Sequence, residues 1–244
     1  MGRSVLALTA LALLCAISVA ALTALGIWQL ERRVWKLHLI DEVSERAHAA
    51  PIVAPGPSQW PQAAAGDYTY RAVRVAGQYL NDRETLVSAV TRLGGGFWVL
   101  TPLRTAEGYT ILVNRGFVPP EKRDRATRAE GLIGDRAIVT GLLRLSEPRG
   151  AFLHANDVAA DRWYSRDVAA IAAARDLSAV APYFIDADAS PVRGGLPIGG
   201  LTVTDLPNNH LVYALTWFCL AILLTGGLLH VGHQEWRLRH RGNP

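Results

Sequence analysis

His210 is the residue of this chain best placed to do chemistry, because of what surrounds it. It closes the run Pro207-Asn208-Asn209-His210, and residues 211–231 follow without a single Asp, Glu, Lys or Arg. That apolar stretch is about long enough to cross a hydrocarbon core ~30 Å thick. On a helix, His210, Tyr213, Ala214 and Trp217 recur at i, i+3, i+4 and i+7 and share a face. An imidazole, a ligand and proton carrier, is then presented at the edge of a membrane between aromatic rings. A polar residue is tolerated at that depth because headgroup water is close. On these residues alone the pattern reads equally as an interfacial aromatic belt with a capping Asn pair.

The other chemistry-bearing residues narrow the field by their positions. His230 and His233 stand at i and i+3 and could share a metal. They also lie at the C-terminal end of the same apolar stretch, beside a basic tail, where helix-end electrostatics account for them. Cys15 and Cys219 both fall inside apolar end segments, so the middle of the chain holds no disulfide framework and no C-x-x-C site. Met1 is the sole methionine, which leaves a copper-delivery role almost no soft ligands. There is no G-x-S-x-G elbow, no H-E-x-x-H and no phosphate loop. Gly94-Gly95-Gly96 opens a strand rather than a helix and reads as a turn. No catalytic motif emerges, and the chain reads as a non-enzyme.

These residues need elements to position them. Of 244 residues half are apolar, and the apolar ones concentrate at the two ends, so a single domain is tied to a membrane at both termini. The formal charge of +4 is modest, and no basic run is dense or aromatic enough for a nucleic-acid groove. Residues 5–27 form a first uncharged span. Ser18-Val19-Ala20 resembles a signal cleavage site, but the apolar run continues through Leu22, Leu25 and Ile27, which favours a retained anchor. Residues 209–231 form the second span. The tail 232–244 carries Arg237, Arg239 and Arg241 against Glu235, which places it in the cytoplasm. Arg32, Arg33 and Lys36 pull the other way, yet long loops translocate largely regardless of charge. Both termini are therefore read as cytoplasmic and residues 28–205 as extracytoplasmic.

The exit of the first span continues as a polar helix. Trp28 sits at the outer interface, where antiparallel packing puts it at the depth of His210, and Arg32, Trp35 and Lys36 are headgroup anchors. Residues 49–65, with Pro51, Pro55, Pro57, Pro61 and Gly56, read as a linker without helix. Strands are expected around 70–80, 84–90, 97–103, 109–115 and 136–145, with shorter ones at 163–164, 183–185 and 201–204. Their tight spacing argues for a mainly antiparallel sheet, curled toward a barrel. Residues 167–177 read as a helix with Ser165 as N-cap and Val168, Ile171 and Ala172 on its apolar face. The charged segment 121–136 reads as a solvated face, with a partner-docking surface as the alternative. The fold class is thus an α+β membrane protein: two terminal transmembrane helices flanking a β-rich extracytoplasmic domain with one or two short helices.

Four blocks of the sequence, in order, resemble the Surfeit locus protein 1 family of cytochrome c oxidase assembly factors. GIWQLERRVWK resembles the family's first-span exit and GGGFWVLTPLRTAEGYTILVNRGFVP its central block. NDVAADRWYSRDVAAIA resembles a later block, and PNNHLVYALTWF its second-span entrance. Phe117 stands where Trp is more usual, and Val158 where Pro often follows Asn-Asp. The resemblance implies a role in maturing the haem-copper oxidase, in the inner membrane of a bacterium. Its implied cargo is haem a for subunit I, with haem a synthase as a further partner beside the lipid bilayer. His210 is then the axial ligand to the haem iron, and Tyr213, Trp217 and Trp28 flank the macrocycle. Arg32 or Arg115 could meet the propionates, although Arg115 reads equally as a paired structural arginine. His230 cannot ligate the same iron from this helix, since twenty residues at ~1.5 Å rise put it roughly 30 Å away. The competing reading is a membrane scaffold that stabilises an oxidase intermediate without haem, with His210 only capping its helix.

Overall fold

The structure is a computed structural model that describes residues 4–148, 154–204 and 206–241, without the side chains of 239–241. Met1, the tail residues 242–244 and the Arg239 and Arg241 side chains invoked above lie outside the described residues. Contacts divide the chain into a helical unit, Met1–Glu42 with Asp205–Pro244, and a β unit, Val43–Thr204.

The helical unit is made by α1 (Val5–His48) and the C-terminal helix (His210–Arg241), both long and apolar enough to cross a membrane. At about 1.5 Å per residue, 44 residues make α1 about 66 Å long, roughly twice a hydrocarbon core, so its charged half runs on beyond the apolar one. Along α1 the less exposed positions include the series Ala12, Cys15, Val19, Leu22, Gly26, Gln29 and Arg33, with Ser18 and Thr23 at its flank. On the C-terminal helix they are Ala214, Trp217, Ala221, Leu224, Leu228 and Val231. Both series step by alternating threes and fours, the 3.5-residue repeat that keeps a seam facing its partner. The helices run antiparallel, since His210 meets Gln29 and Phe218 lies on Gly26. A Cβ on Gly26 would sit 2.5 Å from the Phe218 ring, so only glycine lets that ring lie against the backbone.

The β unit contains β1 (Ile52–Val53), α2 (Trp60–Ala65), β2 (Ala72–Tyr79), β3 (Thr85–Thr91), β4 (Gly94–Thr105) and β5 (Thr110–Val118). It continues with β6 (Arg136–Leu145), α3 (Val168–Ala174) and β7 (Val180–Ala187), so the C-terminal helix is α4. The sheet order is β1-β2-β6-β7-β5-β4-β3, and a further β2–β4 pairing closes five of these strands into a barrel. The sheet is mixed, because β1 runs parallel to β2 and β5 parallel to β7. The parallel β5–β7 pair follows from the chain between them. It is long enough to carry β6 and α3 before returning in the same direction. Every residue of β5 is buried. Ile111 and Val113 face the barrel interior with Val73, Leu103, Leu143, Tyr183 and Ile185. Leu112 faces outward, to a second cluster with Val87, Leu100, Trp163, Ile171 and Phe184 under α3. A strand covered on both faces reads as a continuous apolar run, as TILV does here.

Several local expectations are corrected. The proline-rich stretch does contain a helix, α2, because Pro61 sits in its first turn, where no backbone donor is needed, and Gly66 ends it at φ +101°. Its Ala63 is fully buried against the barrel. Gly95 and Gly96 belong to β4, and the turn is Arg92-Leu93 before it. A side chain on Gly96 would collide with the Phe117 ring and the Val118 carbonyl, so close packing across strands sets the glycine. Residues 201–204 form no strand. The N-cap of α3 is Asp167, whose carboxylate accepts from Ala170 N at 3.1 Å, while Ser165 is buried and receives the Asn156 amide at 3.0 Å. Trp163 joins the sheet only as a single bridge to Val87. Within the charged segment, Arg128 is buried and grips both oxygens of Glu84, so that residue is not part of a solvated face.

Candidate functional site

His210 is the first residue of α4. The Asn208 side-chain oxygen accepts from His210 N at 3.4 Å, and the Asn209 carbonyl accepts from Tyr213 N at 3.3 Å, so the asparagine pair caps the helix as its residue types suggest. The Asn208 amide also donates to the Arg33 carbonyl of α1 at 3.5 Å. The cap therefore ties the two helices at this level.

The imidazole itself has a partner that sequence reasoning missed. His210 Nδ1 lies 2.7 Å from Gln29 Oε1 on α1. An amide oxygen accepts, so Nδ1 is the donor in this contact, and in a neutral ring Nε2 is then the nitrogen with the free lone pair. This is the arrangement of metal-ligating histidines, in which one ring nitrogen donates to a fixed acceptor and the other is presented for coordination. The signal for Gln29 was available in part. Gln29 follows Trp28, which antiparallel packing puts at the depth of His210, but only the helix rotation decides which of the two faces the seam.

The remaining expected residues are distributed around that pair. Trp217 lies on the seam, and its indole Nε1 is buried without a hydrogen-bond partner among the described residues. Tyr213 is 55% exposed and stands at the flank of the seam, so the four residues read as one face divide between two. Trp28 is 52% exposed and also points away from the α1 seam. Arg32 stacks over the Trp35 ring, 3.8 Å from its centroid. Arg115 is buried within the β unit, donates to the Gly131 carbonyl and lies over Tyr79. His230 contacts Gln234 at 2.9 Å, and His233 stacks on Trp236. Among the described residues no three His, Cys, Asp or Glu side chains gather into a metal site.

A haem is implied by the family resemblance, and the residues present fit one. They supply an oriented imidazole with an open Nε2, an orphaned indole N–H two helical turns further on, and exposed aromatic side chains at the flank.

The β unit carries a separate polar centre. Asp186 is buried and accepts from Asn114 (2.7 Å), Arg144 (3.1 Å), Arg166 (3.1 Å) and Thr202 (2.9 Å). Arg166 also pairs with Glu147 at 2.5 Å. Burial works against ionising Glu147, but the hydrogen bonds and charge of Arg166 outweigh it and hold the carboxyl below its usual range. Two arginines face two carboxylates, and each Asp186 oxygen is used. A cavity of about 200 Å³ adjoins this centre, with Trp98 and Gly200 in its wall, but the network is closed and its charges balance. We read it as the structural lock between β5, β6, β7 and the segment that leaves the barrel.

The Gln29–His210 pair joins the first and last of the four blocks singled out in the sequence. A model of the SURF1 family matches residues 16–222. The chain belongs to the SURF1 family. It is 36% identical to Surfeit locus protein 1 of Gallus gallus over 213 residues, covering 80% of this chain and 67% of the chicken protein. Against Surfeit locus protein 1 of Homo sapiens the identity is 37% over 214 residues, covering 81% and 69%. The SURF1-like protein of Drosophila melanogaster is 30% identical, again over 81% and 69%. SURF1 proteins form a family of cytochrome c oxidase assembly factors rather than of catalysts.

Proposed function

We propose that this SURF1 protein binds haem a through His210 and presents it for insertion into subunit I of cytochrome c oxidase. The observation that carries this reading is the 2.7 Å contact between His210 Nδ1 and Gln29 Oε1. A histidine that only capped its helix would turn its ring toward the first-turn N–H groups, which Asn208 and Asn209 already serve. Fixing the ring from the neighbouring helix instead prepares Nε2 as a ligand. When bound, the haem iron supplies a coordination position for that nitrogen. Gln29 holds the proton on Nδ1, and Trp217 offers its unpartnered N–H. Haem a synthase is the natural donor in this scheme and subunit I the acceptor.

The same reading places the two spans in the inner membrane of a bacterium, both termini in the cytoplasm and the β unit outside. His210 then lies at the outer interface. The test is the absorption spectrum of the purified protein from cells that make haem a. The wild type should carry a haem spectrum, His210→Ala should insert normally yet lose it, and His230→Ala should keep it. A haem spectrum unchanged in His210→Ala would overturn the assignment. A wild type that never carries haem but still co-purifies with an oxidase intermediate would establish the scaffold role instead.

A further inference from the structure

The mouth of the barrel holds a charge that the fold leaves unanswered. Along β5, Ile111 and Val113 point into the barrel core, and two residues further on the same pleat brings in Arg115. It is only 4% exposed. One terminal nitrogen, Nη2, donates to the Gly131 carbonyl, and the guanidinium carbon lies 4.7 Å from the centre of the Tyr79 ring. The other, Nη1, is buried and has no hydrogen-bond partner among the described residues.

The neighbouring arginines show how unusual this is. Arg128 is paired with Glu84, and Arg144 and Arg166 are both paired with Asp186. Among the described residues no carboxylate forms an ion pair with Arg115. The carboxylate whose charge it feels, Glu84, has both oxygens engaged by Arg128, which itself adds a like charge nearby. Burying a guanidinium without a counter-charge is unfavourable, and a paired anion would offset that desolvation.

Arg115 also borders a cavity of about 150 Å³, walled by Tyr79, Ile133, Val139, Pro191 and Val192. Barrel mouths are favoured ligand positions, and mostly apolar walls with one convergent charge are the usual composition of a small-molecule site. Asp188 and Ser190 line the same cavity, with the Asp188 carboxylate accepting from Ser190 N at 3.0 Å. That carboxylate opposes any anion there and a dianion such as phosphate most, so a single negative charge suits the cavity best. A planar carboxylate matches the guanidinium edge.

We propose that this cavity is a binding site for a monocarboxylate group on a short apolar stem, anchored by Arg115 Nη1. The group comes either as a small free acid or as the carboxylate arm of a larger ligand. The test is the thermal transition of the full-length protein in detergent, titrated with sodium acetate, sodium butyrate and, as the neutral isostere, acetamide at constant ionic strength. Acetate or butyrate should raise Tm little below half-saturation and then by roughly 3–5 °C for each tenfold excess over it, while acetamide should not. Butyrate acting at lower concentration than acetate supports the apolar stem, and the reverse order would overturn it. Arg115→Gln should abolish the response. Since that variant could fail to fold, Ser190→Trp, which fills the cavity from an exposed position, should abolish it independently. A wild type indifferent to both carboxylates, or a response that survives in Ser190→Trp, would overturn the proposal.

Discussion

Replacing Gln29 by Leu isolates the contact on which the functional reading depends. The substitution shortens the side chain by one bond and places an apolar group in an apolar seam, so helix packing should change little. It removes the acceptor 2.7 Å from His210 Nδ1 and leaves that N–H unpartnered between the helices. The direct loss for one such hydrogen bond is on the order of 1 kcal/mol, and more where the donor stays buried. The effect on a ligating imidazole should be larger than on stability. The ring is freed to rotate and to shift its proton to Nε2, which blocks coordination, and loss of such outer-shell partners typically costs about 10–100-fold in metal affinity. Gln29→Glu should act in the opposite sense, because a carboxylate accepts from Nδ1 more strongly and raises the basicity of Nε2. The assay is a haem titration of purified protein followed by absorption, with wild type, Gln29→Leu, Gln29→Glu and His210→Ala measured side by side. The expected order of affinity is Glu at or above wild type, Leu about 10–100-fold below it, and His210→Ala lowest. Equal affinity in Gln29→Leu and wild type would refute the argument that α1 orients the ligand.

Three further outcomes follow from the structure. Gly26→Ala should push Phe218 out of the helix seam, costing about 1–3 kcal/mol of overpacking, read as a lower unfolding midpoint in detergent; an unchanged midpoint would show that the ring does not lie on α1. A periplasmic reporter fused after Val53 should be active and one fused after Arg241 inactive, and the reverse pattern would invert the proposed orientation. Burial pushes the Tyr79 phenol up to about 12, against the partial opposition of Arg115, so its neutral form is the one the fold favours. That contribution is complete below pH 10 and is lost as pH rises from 10 toward 12, amounting to about 2–3 kcal/mol at the upper end. Tyr79→Phe should flatten this alkaline decline in a chemical-denaturation series, and an equally steep decline in the variant would point to Tyr183 alone, which burial also raises.

The two long helices, the strands of the barrel wall and the place of His210 at a helix start were legible in the chain, because each is written in a local signal. An uncharged run of membrane length, a two-residue alternation such as that of β2, and an imidazole at an apolar boundary all survive without knowledge of the fold. The four-block resemblance reached the family for the same reason. What the chain could not disclose are the contacts made across it. Gln29 and His210 stand 181 residues apart, and only the rotation of both helices about their seam brings one to the other while turning Tyr213 aside. Parallel pairing of β5 with β7 depends on the route of the chain between them, which strand periodicity does not record. The helix at Trp60–Ala65 was hidden because proline counts against helix everywhere except in a first turn, and only packing of Ala63 beneath the barrel fixes where that turn begins. Arg115 shows the same limit most sharply. Its alternation on β5 places it inward, but whether an inward arginine finds a carboxylate or is left facing a cavity is decided by the strands and loops that close around it.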